Sequence, residues 1–128
     1  MDPNFIKKLR EAFREEATEQ LHSISTTLIA LEESPDLTST TTESLLRVFH
    51  SLKGSARAVN LETFEQCCQT IESLLVGYRD GGLTIPETVA STLNEAVGRL
   101  QNVVNDLGRK DEDELESDLK SMLDKLVE

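Results

Sequence analysis

Two histidines occur in the 128 residues of the chain, and His50 stands beside other residues that could support chemistry. Lys53 and Gly54 follow His50 at positions i+3 and i+4, so the three residues share one flank if this segment is helical. On a helical wheel of about 100° per residue, the apolar residues nearby cluster within roughly 40° of one direction and His50 points about 140° away from them. His50 is therefore predicted to face water.

Gly54 is an unexpected residue on an exposed helical flank. A glycine inside a helix costs about 1 kcal/mol relative to alanine, and nothing in the packing of a surface position requires it. The clearance predicts a partner that approaches the backbone beside His50. A neutral imidazole is nucleophilic near pH 7, and the ammonium of Lys53 would stabilise phosphoryl oxygens. Together the three residues predict a histidine that accepts a phosphoryl group.

A carboxylate would complete such a site, because one imidazole nitrogen attacks only if the other keeps its proton. Glu72 lies about 90° from the apolar stripe of the following helix, at the boundary between core and solvent. Gln69 lies one turn before it. Glu72 could orient the ring of His50, or it could be a solvated flank residue; the spacing leaves both interpretations open.

Five stripes of apolar residues with steps of three and four predict five helices that position these residues. The predicted helices span roughly residues 4–32, 43–59, 61–79, 85–107 and 112–127. The first stripe starts at Phe5 and ends at Leu31. Pro35 and a run of Ser and Thr predict that a loop, the longest of the chain, spans Glu32–Thr42 and that a threonine caps the second helix.

The other predicted helix ends rest on residues with special backbone preferences. Asn60 is predicted to cap the third helix, and Thr84–Glu87 has the spacing of a capping box for the fourth. Asp80–Gly82 and Gly108 supply the left-handed residues that end helices.

The chain is therefore predicted to be one all-α domain, residues 1–128, with no strand. The expected architecture is an antiparallel up-and-down bundle with a four-helix core and a fifth, C-terminal helix. Because the connections are short, successive helices are expected to be neighbours.

The composition excludes several classes of function. With 13 Lys+Arg against 24 Asp+Glu the formal charge is −11, which disfavours binding to nucleic acid or to anionic membranes. Neither a signal peptide nor 18 consecutive apolar residues occur, so a cytoplasmic protein is expected. Cys67 and Cys68 are adjacent, a spacing that suits no zinc site, and are predicted to be reduced, buried thiols.

The segment from His50 to Gly54 resembles the His-x-x-Lys-Gly phosphoacceptor motif of histidine phosphotransfer (HPt) domains. More narrowly, the chain is similar to the N-terminal phosphotransfer domain of CheA-type chemotaxis kinases, from Phe13–Leu21 through Glu72–Leu75. The resemblance implies a five-helix bundle. It also implies a role for each residue of the site: phosphoacceptor for His50, charge partner for Lys53, steric clearance for Gly54 and hydrogen-bond partner of the ring for Glu72.

Two positions depart from the family's pattern. Gln69 stands where the family often has a second histidine, and it can hydrogen-bond but cannot titrate. Ser55 and Arg57 stand where the family has a Gly-rich turn, and Arg57 adds a charge to the expected docking face. Both departures are expected to affect the choice of partner more than the chemistry.

The resemblance implies two partners, a histidine kinase ATP-binding domain as donor and a CheY-like receiver as acceptor. The domain lacks a Gly-rich phosphate loop, so it is not expected to be an enzyme by itself. It is expected to be a monomer without a cofactor of its own, with ATP and Mg²⁺ supplied by its partners. The resemblance implies the phosphoacceptor part of a longer CheA-type kinase, and the sequence leaves a free-standing relay protein open.

Two other functions compete with phosphotransfer. A di-iron site is disfavoured because only one Glu-x-x-His pair occurs and its histidine, His22, points about 170° from the apolar stripe. No metal is therefore expected. The remaining alternative is a helical adaptor that docks proteins without covalent chemistry, which would have no use for a nucleophile, a lysine and a glycine together.

Overall fold

The computed structural model describes residues 2–126, and among these it contains five α-helices and no strand. The helices are α1 (Pro3–Glu33), α2 (Thr38–Ala58), α3 (Glu62–Asp80), α4 (Glu87–Asp106) and α5 (Glu112–Leu126). The predicted all-α bundle is confirmed. No helix within the described range is long and apolar enough to cross a membrane.

The core lies between the helices and is mostly aliphatic, as the composition requires. Among its aromatic residues, Phe13 and Phe64 pack edge to face with ring centroids 5.5 Å apart. α1 packs against α2 and α4, α2 packs against α3, and α5 lies against α3 and α4. The expectation that all successive helices are neighbours is wrong for α3 and α4, which make few close backbone contacts. The segment between α3 and α4 places α4 against α1. α5 packs against both α3 and α4.

The connection between α1 and α2 differs from the predicted long loop. After Ser34, a short 3-10 helix (Pro35–Leu37) leads directly into α2, which begins five residues earlier than predicted. The threonines do not break the helix, because their hydroxyl groups donate to carbonyl oxygens three or four residues before them. Thr38 also accepts a hydrogen bond from the backbone N–H of Ile85 at 2.9 Å. The longest connection is instead residues 81–86.

None of the three predicted N-caps forms. No threonine caps α2, whose N-cap is Leu37 without a side-chain hydrogen bond. Asn60 adopts a left-handed conformation with φ +62° in the turn before α3, and Leu61 takes the N-cap position without a side-chain hydrogen bond. Pro86 occupies the N-cap of α4, so the predicted capping box is absent. Gly82 and Gly108 have φ values of +62° and +78°, in the left-handed region predicted for them, whereas Gly81 has a φ of −80° and lies outside it.

The apolar stripe of α1 is fully buried from Phe13 onwards, and Leu9 before it is half-buried against the core. Each step of four residues rotates the stripe by about 40°, so Phe5 is carried away from the core and is 52% exposed. Ile6 and Arg10 lie closer to the bundle and are half-buried. The prediction that Phe5 belongs to the buried face is therefore wrong.

Candidate functional site

His50 lies on the solvent-exposed face of α2, where the helical period places it. Its neighbours Phe49 and Leu52 are fully buried and fix the orientation of the helix, while the imidazole side chain is 76% exposed. An exposed ring on a rigid helix can be reached by another protein without rearrangement of the bundle.

Glu72 reaches His50 from α3, although it is almost completely buried. Its Oε1 atom lies 3.3 Å from His50 Nδ1, and its Oε2 atom accepts a 2.6 Å hydrogen bond from Lys53 Nζ. A buried carboxylate is costly unless it is paired, and Lys53 provides the opposite charge. Because an ionised carboxylate only accepts hydrogen bonds, this contact favours the tautomer with the proton on Nδ1 and leaves Nε2 with a free lone pair.

Lys53 and Gln69 extend this arrangement along the groove between α2 and α3. Lys53 Nζ donates a second hydrogen bond to Gln69 Oε1 at 2.8 Å, and Gln69 Nε2 donates to Ser73 Oγ at 3.2 Å. Gln69 thus contacts the lysine of the site and makes no hydrogen bond to the ring. The structure brings His50, Lys53, Gln69 and Glu72 together at one place on the surface.

Gly54 lies one turn after His50 and is exposed. A Cβ atom built at this position would meet no atom within 4 Å, apart from those of its own helical surroundings. Packing within the domain therefore does not require a glycine here.

The predicted docking residues Ser55 and Arg57 have different surroundings. The side chain of Arg57 is 80% exposed. Its Nε atom lies 4.0 Å from a carboxylate oxygen of Glu65 on α3. Ser55 is half-buried and donates from its hydroxyl group to Glu16 Oε1 on α1 at 3.4 Å. Arg57 is thus available to a partner, whereas Ser55 faces the neighbouring helix.

Sequence reasoning missed a polar cluster on the α1 side of α2. Gln20 Nε2 donates to Ser51 Oγ at 3.2 Å and to Glu16 Oε1 at 3.3 Å. Ser51 follows His50 directly, so α1 supports α2 next to the site from the side opposite Glu72. Glu16 and Gln20 are one turn apart, but only the packing of α1 against α2 distinguishes them from other polar residues of α1.

The other candidate groups lie apart from this site. Cys67 and Cys68 are buried and free, as predicted. Burial, reinforced by Glu116, raises the pKa of the Cys67 thiol to about 12, and burial also raises the pKa of Cys68. His22 is exposed on α1. Residues 2–126 contain no group of His, Cys, Asp and Glu side chains placed to hold a metal ion.

The fold and the site define a class of protein: a helical bundle that presents, on its second helix, an exposed imidazole next to a buried carboxylate and a lysine. A family model for the Hpt domain matches residues 8–128. The chain therefore belongs to the Hpt domain family, whose members serve histidine phosphotransfer in phosphorelays, together with histidine kinases and response regulators. Comparison with solved structures finds no significant match.

Proposed function

We propose that His50 accepts a phosphoryl group from the ATP-binding domain of a CheA-type histidine kinase and passes it to an aspartate of a CheY-like receiver. The observation that carries the proposal is the contact of His50 Nδ1 with Glu72, a buried carboxylate that also binds Lys53. No adaptor needs an exposed imidazole in this arrangement.

The first transfer moves the γ-phosphoryl group of ATP to Nε2 of His50. The lone pair of Nε2 attacks the γ-phosphorus of ATP bound to the kinase, the Nε2–P bond forms and the P–O bond to ADP breaks. The imidazole keeps the proton on Nδ1 and becomes positively charged, so the carboxylate of Glu72 stabilises it more strongly than it stabilises the neutral ring. We expect the 3.3 Å contact to shorten at this stage.

The second transfer returns the ring to its starting state. A carboxylate oxygen of the receiver's aspartate attacks the phosphorus in line with the Nε2–P bond, and the bonding electrons return to Nε2. Lys53 supplies positive charge on the same face of the domain during both steps. ATP and Mg²⁺ belong to the partners in this scheme, so the domain itself binds no cofactor.

The cellular location that we propose follows from ATP as the phosphoryl donor. A reaction that starts from ATP takes place in the cytoplasm, and a single exposed flank on one copy of the domain is sufficient for both transfers. We therefore propose a monomeric domain that meets kinase and receiver in turn.

Labelling with radioactive ATP and Mg²⁺ tests this function. The domain alone should remain unlabelled, because the residues at the site provide no phosphate-binding loop. Addition of a CheA-type ATP-binding domain should produce a label that is labile in acid and stable in base, as expected for a phosphoramidate. Robust labelling without a kinase would refute the assignment, and a folded domain that no such kinase labels would favour the adaptor.

The clearance at Gly54 gives a second prediction. Gly54→Val should fold normally, since the new side chain meets no other part of the domain and valine is a better helix former than glycine. It should nevertheless slow transfer to the receiver about 100-fold, because displacement of the reacting groups by about 1 Å costs that much. The measurement is the loss of label from the phosphorylated domain after a receiver is added.

Gly77→Val is the matched control for this experiment. Gly77 is also an exposed helical glycine whose Cβ position is free of other atoms, but it lies on α3 outside the site. Its substitution should leave transfer unchanged. Equal rates for Gly54→Val and the wild type would place the docking surface elsewhere.

A further inference from the structure

A cavity of about 510 Å³ opens at the end of the bundle where α1 begins, between the first turns of α1, the α4–α5 connection and α5. Its volume lies in the range of about 300–1,000 Å³ that is typical of pockets for small molecules. Asn60, on its wall, follows His50 by ten residues, or about 15 Å along a helix axis. The cavity is therefore separate from the phosphotransfer site.

The charge around this cavity is opposite to that of the whole protein. The chain carries 13 basic and 24 acidic residues, yet the lining of the cavity contains five basic residues and only three acidic ones. The basic residues are Lys7, Arg10, Arg14, Arg109 and Lys110. An anion that is repelled by most of the surface would find positive charge here.

Several of these cations have unused hydrogen-bonding capacity. Arg10 donates to the carbonyl oxygen of Val59 and pairs with the exposed carboxylate of Glu112. These two contacts use only part of the five N–H donors of the Arg10 guanidinium. Arg14 donates to the carbonyl oxygen of Asn105. Within residues 2–126, the side chains of Lys7, Arg14 and Arg109 form no ion pair.

The interior of the cavity is aliphatic. Six apolar side chains line it: Ile6, Leu61, Val103, Leu107, Leu115 and Leu119. The lining contains no aromatic ring on which a nucleobase could stack, and the aliphatic surface favours a methylene chain.

We propose that this cavity binds an amphipathic anion with an aliphatic chain, such as a fatty carboxylate. The chain would lie against the leucines, and the carboxylate would take the free donors of Arg14 and the charges of Lys7 and Arg109. The proposal does not depend on phosphotransfer, since binding is measured on the unphosphorylated domain.

Calorimetric titration of residues 1–128 with decanoate, below the concentration at which it aggregates, tests the proposal. We expect saturable binding of one decanoate per domain, with changes in the NMR amide signals of Leu61 and Leu107. Decanol, with the same chain and no charge, should bind at least tenfold more weakly, as expected for the loss of charge-assisted hydrogen bonds. Butyrate, with the charge and a short chain, should show no measurable binding. Equal affinity for decanol and decanoate would overturn the role of the cations.

Two double variants with the same change in net charge separate a specific site from a general charge effect. Lys7→Gln/Arg109→Gln should weaken decanoate binding about tenfold, because both cations line the cavity. Lys8→Gln/Lys120→Gln removes two exposed lysines outside it and should change the affinity less than twofold. Equal effects of the two variants would contradict the site, as would the absence of saturable binding.

Anionic groups next to aliphatic chains also occur at the surface of a membrane, so binding of the domain to vesicles of phosphatidylglycerol is measured as well. The net charge of −11 should prevent the domain from sedimenting with them. Binding to vesicles without binding to decanoate would replace the proposed single-molecule ligand by a lipid surface and overturn the proposal.

Discussion

His50→Gln is expected to abolish labelling of the domain by a CheA-type kinase domain and ATP. Glutamine has no nucleophilic nitrogen at neutral pH, and its smaller side chain on the exposed face of α2 leaves the core untouched. The unfolding temperature should therefore remain that of the wild type. The rate of labelling is measured with the same kinase at equal concentrations of folded protein.

His22→Gln is the matched control, since His22 is the other exposed histidine of the chain. It lies on α1, without a lysine or a glycine on its flank, and its loss should leave the labelling rate unchanged. Persistent labelling of His50→Gln together with loss of label in His22→Gln would reverse the assignment.

Glu72→Ala is expected to slow phosphorylation of His50 by about 10²–10⁴-fold, the contribution typical of a group that assists proton placement in catalysis. The alanine removes the carboxylate that faces Nδ1, so the ring loses both its preferred tautomer and the stabilisation of its positive charge. Lys53 keeps its hydrogen bond to Gln69 in this variant, so we expect only a small loss in the free energy of unfolding. The rate is measured with a fixed amount of kinase domain at saturating ATP.

Two further variants distinguish orientation of the ring from a loss of structure. Glu65→Ala removes a carboxylate of the same helix that lies near Arg57 and not near His50, and it should leave the rate almost unchanged. Glu72→Gln keeps an oxygen that accepts a hydrogen bond from Nδ1 and should recover part of the rate. ¹⁵N NMR of the imidazole should show a mixture of tautomers in Glu72→Ala alone. A wild-type rate in Glu72→Ala would leave Glu72 as a structural partner of Lys53.

The site could be predicted in more detail than the ends of the helices, because the helical period determines which of its residues are exposed. The exposure of His50 follows from the spacing of Leu45, Phe49 and Leu52 along one helix. The approach of Glu72 required only that α3 pack beside α2, which a three-residue connection ensures. Even so, the sequence left open whether Glu72 is solvated, and only the structure shows its burial and its bond to Lys53.

The predictions of helix ends and of the first helical face are wrong where tertiary contacts or local hydrogen bonds override the sequence pattern. The threonines before Glu43 were expected in a loop, but their hydroxyl groups satisfy helical carbonyl oxygens and Thr38 binds the segment before α4. Phe5 lies outside the core because successive steps of four residues rotate the apolar stripe away from it. Glu16 and Gln20 could not be selected from the sequence, since their partners lie on another helix.

The imidazole of His50 is expected to carry the phosphoryl group on the nitrogen that faces away from Glu72. NMR of the domain with ¹⁵N-labelled histidine, after phosphorylation by a kinase domain, tests it directly through the coupling between phosphorus and nitrogen. The geometry predicts coupling to Nε2 of His50, with the proton retained on Nδ1, which lies 3.3 Å from Glu72 Oε1. Coupling to Nδ1 of His50, coupling to a nitrogen of His22, or a phosphate bound to oxygen would refute Nε2 of His50 as the phosphorylated atom.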